Sequence, residues 1–263
     1  MKRLFDRVVV SSDTNPKFIE FWPLIQKAWG HLFGVPVTLA LVAEDNDPAA
    51  KLEGDVYRLA PIEGIPLANQ AKMARYYVAS LGPAEAVLMT NDMDLLPLQT
   101  AYINELLGQR PIGHLFTIGS ELYTGAENGK FTAGYLTAEG HVWRRLVNPY
   151  GVAWADFVNR FVGLRVFDHK EDISRNVHHE NPDTFSDESL LRAAVHVTGV
   201  PVHRAPRGFA AYTDRAVCRS AWNIDPVKLA NGTYVEAHLL RPWSQHRAAI
   251  QPLIDHVLNQ PRA

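Results

Sequence analysis

One segment of the chain, Ala86-Val87-Leu88-Met89-Thr90-Asn91-Asp92-Met93-Asp94, joins a run of mostly apolar residues to an acidic tetrapeptide. The apolar part predicts a buried strand. Because alternate residues of an extended segment point to the same side, Asp92 and Asp94 can present two carboxylates in one direction. Two carboxylates suit Mg²⁺ or Mn²⁺, which in turn can hold phosphate oxygens. The alternative for the same residues is a solvated acidic turn that caps the next helix.

The elements around this segment alternate between strands and helices, which is typical of an α/β fold with an open, mostly parallel sheet and flanking helices. In such a sheet the carboxyl ends of the strands lie on one edge, where ligands bind. We therefore expect the polar stretch Ser11–Asn15 to share a crevice with Asn91–Asp94. The predicted strands cover Val8–Val10, Val37–Val42, Asp55–Leu59 and Ala86–Thr90, and the predicted helices cover Pro16–Phe33, Asn69–Ala79 and Leu98–Leu107.

The second half of the chain is less regular. Glycines recur between short β-like runs, and helices are predicted at Ala155–Val162, Asp187–His196 and Ser244–Leu258, the second with Ser186 as its N-cap. There is no internal repeat, low-complexity tract or linker. We therefore predict one domain over residues 1–263, in which about 1–110 bind a nucleotide and about 111–263 form a smaller, β-containing half that completes the site.

Composition excludes several classes of protein. The chain has 263 residues with 26 Lys and Arg against 28 Asp and Glu, so no basic excess points to nucleic acid. Its single cysteine, Cys218, can form no internal disulfide, which fits a reducing compartment. Neither a signal peptide nor a transmembrane segment is visible. We expect a cytoplasmic protein; attachment to a membrane surface through aromatic side chains stays open.

A second segment with chemistry-bearing residues is His238-Leu239-Leu240-Arg241-Pro242-Trp243. Imidazole is a good ligand for Mn²⁺ and a poorer one for Mg²⁺. The Arg241 guanidinium offers a fixed fork of donors for phosphate oxygens. The alternative is a surface His and Arg before a helix, with Trp243 packed in the core.

Together these segments resemble the GT-A glycosyltransferases, and most closely glycosyltransferase family 8, which has a D-x-D motif after a strand and a C-terminal H-x-x-G-x-x-K-P-W segment. Three further stretches resemble that family in the same order: Lys72–Tyr76 its K and R/K-Y, Phe131–Tyr135 its F-N-[AS]-G-[VL] strand, and Phe185–Leu191 its P-D-Q-x-x-L-N. Here Arg241 replaces Lys, Thr132 replaces Asn and Glu188 replaces Gln, and the tail is shorter after His238.

The resemblance implies a set of site residues. Asp92, Asp94 and His238 would bind Mn²⁺, with Mg²⁺ as the second choice, and Asp187 and Glu188 would act on the transferred sugar. Asp13 could accept the N3–H of uracil. The implied donor-binding residues are Ser11, Asp13, Lys72, Arg75, Asn91, Asp92, Thr132, Gly134, Arg241 and Trp243.

For several of these residues the sequence leaves a structural alternative open. Ser11–Asn15 can supply an N-cap for the next helix, Lys72 and Arg75 can form a solvated helix face, and Asp187 can favour a helix dipole. Trp143, Tyr150 and Trp154 can stack on an acceptor sugar or belong to the core. His178 and His179 more closely fit an exposed loop than a zinc site.

The resemblance implies a metal-dependent glycosyltransferase that moves a hexosyl or pentosyl group from a nucleotide-diphosphate sugar, UDP-sugar first, to a hydroxyl of a glycan or other acceptor. Retention of the anomeric configuration is slightly favoured over inversion. One alternative is a nucleotidyltransferase, although Ser11–Pro16 lacks the Gly-rich basic loop expected there. The other is an inactive relative that binds sugar nucleotides. The acceptor, the donor sugar and the oligomeric state are not predicted.

Overall fold

A computed structural model describes residues 4–47, 51–119, 131–132, 134–162, 187–208 and 212–262. Its central sheet has seven strands in the order β3-β2-β1-β4-β7-β6-β8, and β7 runs antiparallel to both of its neighbours. The predicted α/β fold with a mostly parallel sheet is therefore confirmed. The strands are β1 Arg7–Asp13, β2 Val37–Val42, β3 Asp55–Leu59, β4 Val87–Thr90, β5 Leu95–Pro97, β6 Leu115–Ile118, β7 Leu136–Glu139, β8 Val202–Ala205, β9 Ala216–Cys218 and β10 Glu236–His238.

A second sheet has three short strands in the order β5-β10-β9. Strand β10 pairs antiparallel with β5 and parallel with β9. Both sheets take strands from either side of residue 110, so the two predicted halves interlock. The helices are α1 Pro16–Ile19, α2 Trp22–Phe33, α3 Leu67–Ser80, α4 Thr100–Leu107, α5 Gly140–Val147, α6 at 154–162, α7 Asp187–Thr198, α8 Tyr212–Arg215, α9 Pro226–Ala230 and α10 Trp243–Leu258, with a 3-10 turn at Arg219–Ala221.

Two elements differ from the sequence prediction for local reasons. The predicted helix Pro16–Phe33 is two helices, because Pro23 has no N–H and its ring clashes with the carbonyl four residues earlier. The predicted helix start at Leu98 is wrong. The short strand β5 precedes the helix, and Leu98 donates its N–H to Val235.

The core lies on both faces of the central sheet. Along β1, Val8 and Val10 join one apolar cluster and Val9 joins the other, as expected when side chains alternate across a strand. Helices α2, α4 and α10 cover the first face, and α3, α5, α6 and α7 cover the second. Within the described ranges, no helix combines the length and apolar character that a bilayer crossing needs.

Candidate functional site

The carboxyl ends of β1 and β4 lie side by side at one edge of the central sheet. Val9 and Thr90 are partners in the parallel pair, and the Asn91 N–H donates to the Val9 carbonyl at 3.0 Å. Strand β1 continues through Ser11 to Asp13, beside the acidic tetrapeptide. The two polar stretches that the sequence predicts in one crevice are therefore neighbours.

Asn91 shapes the turn that carries the acidic pair. Its side chain has no exposed surface, and its Nδ2 donates to the carbonyls of Leu95 at 2.9 Å and Asp92 at 3.2 Å. A Cβ at Gly134 would lie 2.5 Å from Leu95 Cδ2 and 3.5 Å from Asn91 Oδ1, so a larger residue there would require the Leu95 side chain to shift. The side chain is enclosed by protein, and donor binding by Asn91 stays a prediction.

The small sheet brings His238 to the same place. His238 pairs with Leu95 across β10 and β5, and the Leu239 N–H donates to the Asp94 carbonyl at 2.8 Å. On the other side of β10, His238 pairs with Cys218 of β9. This register places the residue that follows β9, Arg219, beside Asp94.

Three guanidinium groups hold the two carboxylates. Arg75, on α3, donates to Asp92 Oδ1 at 2.5 Å and to the Asn91 carbonyl at 3.2 Å. Asp94 Oδ2 lies 2.5 Å from Nη1 of Arg219 and 3.4 Å from Nε of Arg241. The Arg75 side chain is only 4% exposed and holds Asp92, and its contact with the donor stays a prediction.

The Arg241 segment is fixed to the first helices of the chain. Its guanidinium carbon lies 4.7 Å from the ring centre of Phe18 on α1. At the start of α10, the Ser244 N–H donates to Glu20 Oε2 at 2.8 Å, which also places a carboxylate at the positive end of that helix. Trp243 packs against the core beneath. This packing agrees with its structural alternative, and donor binding by Trp243 stays a prediction.

The arginines set the charge state of Asp92. Burial raises the pKa of this carboxyl, but the charge and hydrogen bond of Arg75, with smaller contributions from His238 and Arg219, bring it below its ordinary value. Asp92 is therefore an anion at neutral pH. Asp13 differs, because burial raises its pKa although it accepts the Asn15 N–H at 3.1 Å.

The donor types at this edge fit a divalent cation. Two carboxylates follow β4, and His238, which pairs with Leu95 one residue beyond them, is a third residue of a ligating type. Across the part of the chain that the structure describes, however, no three His, Cys, Asp or Glu side chains converge as a ready metal cluster. Arg219 and Arg241 both lie against Oδ2 of Asp94, so a cation bound by this carboxylate would stand beside two guanidinium groups. The residue types fit the ion, and the positive charge of these guanidiniums opposes its binding.

Other predicted site residues lie at varying distances from this cluster. Lys72 is half-buried on α3 and Ser11 half-buried on β1, so both can still reach a ligand. Thr132 donates its hydroxyl to the Ile118 carbonyl inside the fold, and its role in binding the donor sugar stays a prediction. Glu188 is half-buried on α7. Asp187 begins that helix, but its side chain lies outside the described residues.

The three aromatic residues considered for acceptor binding differ in their exposure to solvent. Trp143 has no exposed surface and donates Nε1–H to the Leu88 carbonyl at 3.0 Å, so an acceptor role for it is wrong. Trp154 is also buried and donates to the Ala60 carbonyl. Tyr150 is 79% exposed and can still serve. His178, His179 and Ser186 lie outside the described residues.

Two features of this region escape sequence reasoning. Arg219 has no local signal, since nothing marks an arginine after a three-residue strand. Glu236, on the same face of β10 as His238, is fully buried with Oε1 3.3 Å from Nη1 of Arg207. Its only signal is an acid between the apolar residues Val235 and Ala237.

Comparison with solved structures supports the fold. The chain is similar to the galactosyltransferase LgtC in complex with donor and acceptor sugar analogues, with a TM-score of 0.52, 14% identity and 95% of each chain covered. It is also similar to an active-site mutant of LgtC in which glutamate replaces glutamine, with a TM-score of 0.50, 14% identity, and 95% and 94% covered. The fold is therefore GT-A-like, as the resemblance predicted.

Two further solved structures are less similar, with TM-scores below 0.5, and the fold assignment does not depend on them. GlyE from Streptococcus pneumoniae TIGR4 has a TM-score of 0.43 and 15% identity over 76% of this chain and 45% of that one. The inositol-1-phosphate CTP transferase from T. maritima has a TM-score of 0.47 and 9% identity over 99% of each chain. No family model matches the chain, and no curated protein matches it in sequence.

Proposed function

We propose that the protein is a metal-dependent glycosyltransferase that transfers a hexosyl or pentosyl group from a nucleotide-diphosphate sugar, UDP-sugar first, to a hydroxyl of a carbohydrate-type acceptor. The observation that carries this proposal is that Asp92 and Asp94 follow β4 at the carboxyl edge of a GT-A-like sheet, and that the pairing of β10 with β5 brings the His238 backbone beside them. Cytoplasmic location is part of the proposal.

The side chains at this edge suit the release of a nucleoside diphosphate. Arg241 and Lys72 supply positive charge near the predicted diphosphate position, where negative charge grows as the sugar leaves. A divalent ion, when bound by Asp92, Asp94 and His238, would neutralise phosphate oxygens further. Asp13 and Ser11, at the end of β1, would position the base.

The stereochemical outcome depends on whether a protein group acts as a base on the acceptor hydroxyl. An inverting enzyme needs a general base within hydrogen-bond reach of the acceptor hydroxyl. Glu188 or Asp187, on α7, would be that base. We favour retention, in which these residues hold the transferred sugar, and NMR of the anomeric proton in donor and product distinguishes the two outcomes.

The test is a thermal-shift panel of nucleotide sugars with and without Mn²⁺. A donor at a hundredfold excess over its Kd should stabilise the protein by about 2.7 kcal/mol, or roughly 5–10 °C for a chain of this size. Asp94→Asn should abolish the metal-dependent part, whereas Glu105→Gln, an exposed acid on α4, should not. Stabilisation by nucleoside triphosphates alone would favour a nucleotidyltransferase. Binding without product in any acceptor screen would favour an inactive relative.

A further inference from the structure

Arg219 lies at a position where a bound metal ion and the diphosphate of a nucleotide would both be next to its side chain. It follows β9, whose Cys218 pairs with His238, and its Nη1 lies 2.5 Å from Asp94 Oδ2. A divalent cation bound by Asp94 would stand next to this guanidinium, and the two positive charges would repel each other.

The three arginines of the site differ in their freedom to move. Arg75 is 4% exposed and has hydrogen bonds to Asp92 and the Asn91 carbonyl, so it is fixed. Arg241 lies over Phe18 and is 20% exposed. Arg219 is 37% exposed and stands on a short 3-10 turn, so its side chain can turn away from Asp94 without unpacking the core.

The net charge of the site determines which partner the Arg219 guanidinium takes. Asp92 and Asp94 carry two negative charges against three from the arginines, so a cation that joins them makes the site strongly positive. A nucleoside diphosphate restores the balance, and a guanidinium forms stronger bonds to phosphate than to water.

Resting on the proposed function, we propose that Arg219 is a positioning residue that competes with the metal ion for Asp94 and passes to the diphosphate when the nucleotide binds. Metal binding and nucleotide binding are thereby coupled: the metal alone must displace Arg219, while metal and diphosphate together give Arg219 a new partner. The coupling is reciprocal, as linkage requires.

The experiment measures Mn²⁺ alone, by the EPR signal of the free ion, and then UDP by calorimetry at saturating Mn²⁺. The variant is Arg219→Ala, and the matched control is Arg58→Ala, an exposed arginine on the edge strand β3. We expect Arg219→Ala to bind Mn²⁺ about tenfold more tightly and UDP about tenfold more weakly, the size of one charged hydrogen bond. Arg58→Ala should match the wild type in both, and Arg219→Lys should restore part of the UDP affinity.

Several outcomes would overturn the proposal. Unchanged affinities in Arg219→Ala would do so, as would weaker binding of both ligands, which indicates a purely structural role, or tighter Mn²⁺ binding with UDP unaffected. Failure of the wild type itself to bind Mn²⁺ and UDP would instead reject the proposed function. Circular dichroism of each variant separates these results from misfolding.

Discussion

At the scale of single residues, the two aspartates of the D-x-D motif are held in different ways. Asp92 pairs with a guanidinium that is almost entirely enclosed, whereas both partners of Asp94 reach solvent. The same substitution at the two positions should therefore have different effects on stability.

Asp92→Asn should destabilise the protein by about 3 kcal/mol, because Arg75 is left as a buried charge without its carboxylate. Asp94→Asn should cost about 1 kcal/mol or less, since Arg219 and Arg241 can turn toward water. Urea unfolding in EDTA measures both. Equal losses would show that the buried position of Arg75 does not govern the energetics of the motif.

A second acidic residue, Glu139 at the end of β7, gives stability a dependence on pH. Its carboxylate pairs with Arg110 and accepts the Gly113 N–H at 3.2 Å. Burial raises its pKa, but the Arg110 hydrogen bond and charge outweigh burial and leave the pKa below its ordinary value. The folded state therefore favours the anion, and this stabilisation is complete above the unfolded pKa of about 4.3 and lost as pH falls through the folded value.

Arg110→Met should consequently lose about 3 kcal/mol at pH 7, because the carboxylate stays buried without its partner. The gap between wild type and variant should narrow as pH falls from 7 toward the unfolded pKa of about 4.3 and below it, because the buried Glu139 of the variant takes up its proton first. Urea unfolding from pH 3 to 7 measures this gap. A gap that is constant over this range would contradict the assignment to Glu139.

At the scale of secondary-structure elements, the sequence predicts those whose cause lies within the segment itself. The sequence predicts strand β2 with its observed bounds, because Val37–Val42 is apolar at every position except Thr38 and all six residues are buried. The helix break before Pro23 also has a local cause, the proline ring, although one continuous helix is predicted there.

The small sheet could not be predicted in the same way. Strands β5, β9 and β10 have three residues each, too few to show a period, and they are held by partners far along the chain. The residue types of Asp92, Asp94 and His238 were enough to nominate them. The position of Arg219 depends on the pairing of β9 with β10. The enclosed environments of Asn91 and Arg75 depend on packing between distant elements. Neither can be read from a short segment of sequence.

The register of β9 and β10 yields a prediction about Cys218. This half-buried residue, the only cysteine of the chain, pairs with His238. A nucleotide and metal bound by its neighbours should shield the thiol, so Mn²⁺ with UDP should slow its reaction with a thiol reagent several-fold. Ellman's assay measures the rate. Equal rates with and without saturating ligand would place the donor elsewhere.

At the scale of the whole molecule, the interlocked sheets bear on the single-domain prediction. In the central sheet β7 covers the edge of β4, and in the small sheet β10 pairs with β5. Residues 1–110 alone would expose both edges and lose the partners of Leu95–Pro97.

We therefore expect residues 1–110, produced separately, to bind a hydrophobic dye and to melt without a cooperative transition. The full chain, as the control, should melt cooperatively. Calorimetry distinguishes the two, and a sharp transition in the fragment would show that the nucleotide-binding half is an independent domain.

The contact between Arg219 and Asp94 also has a consequence for biosynthesis. These residues are 125 positions apart, so at roughly 5–20 residues per second a ribosome needs about 6–25 s to make the second after the first. During that interval a nascent chain already carries the acidic pair and Arg75, but neither the other two guanidiniums nor His238. If the protein binds a donor as proposed, a growing chain therefore lacks these groups of the site until translation has passed Arg241.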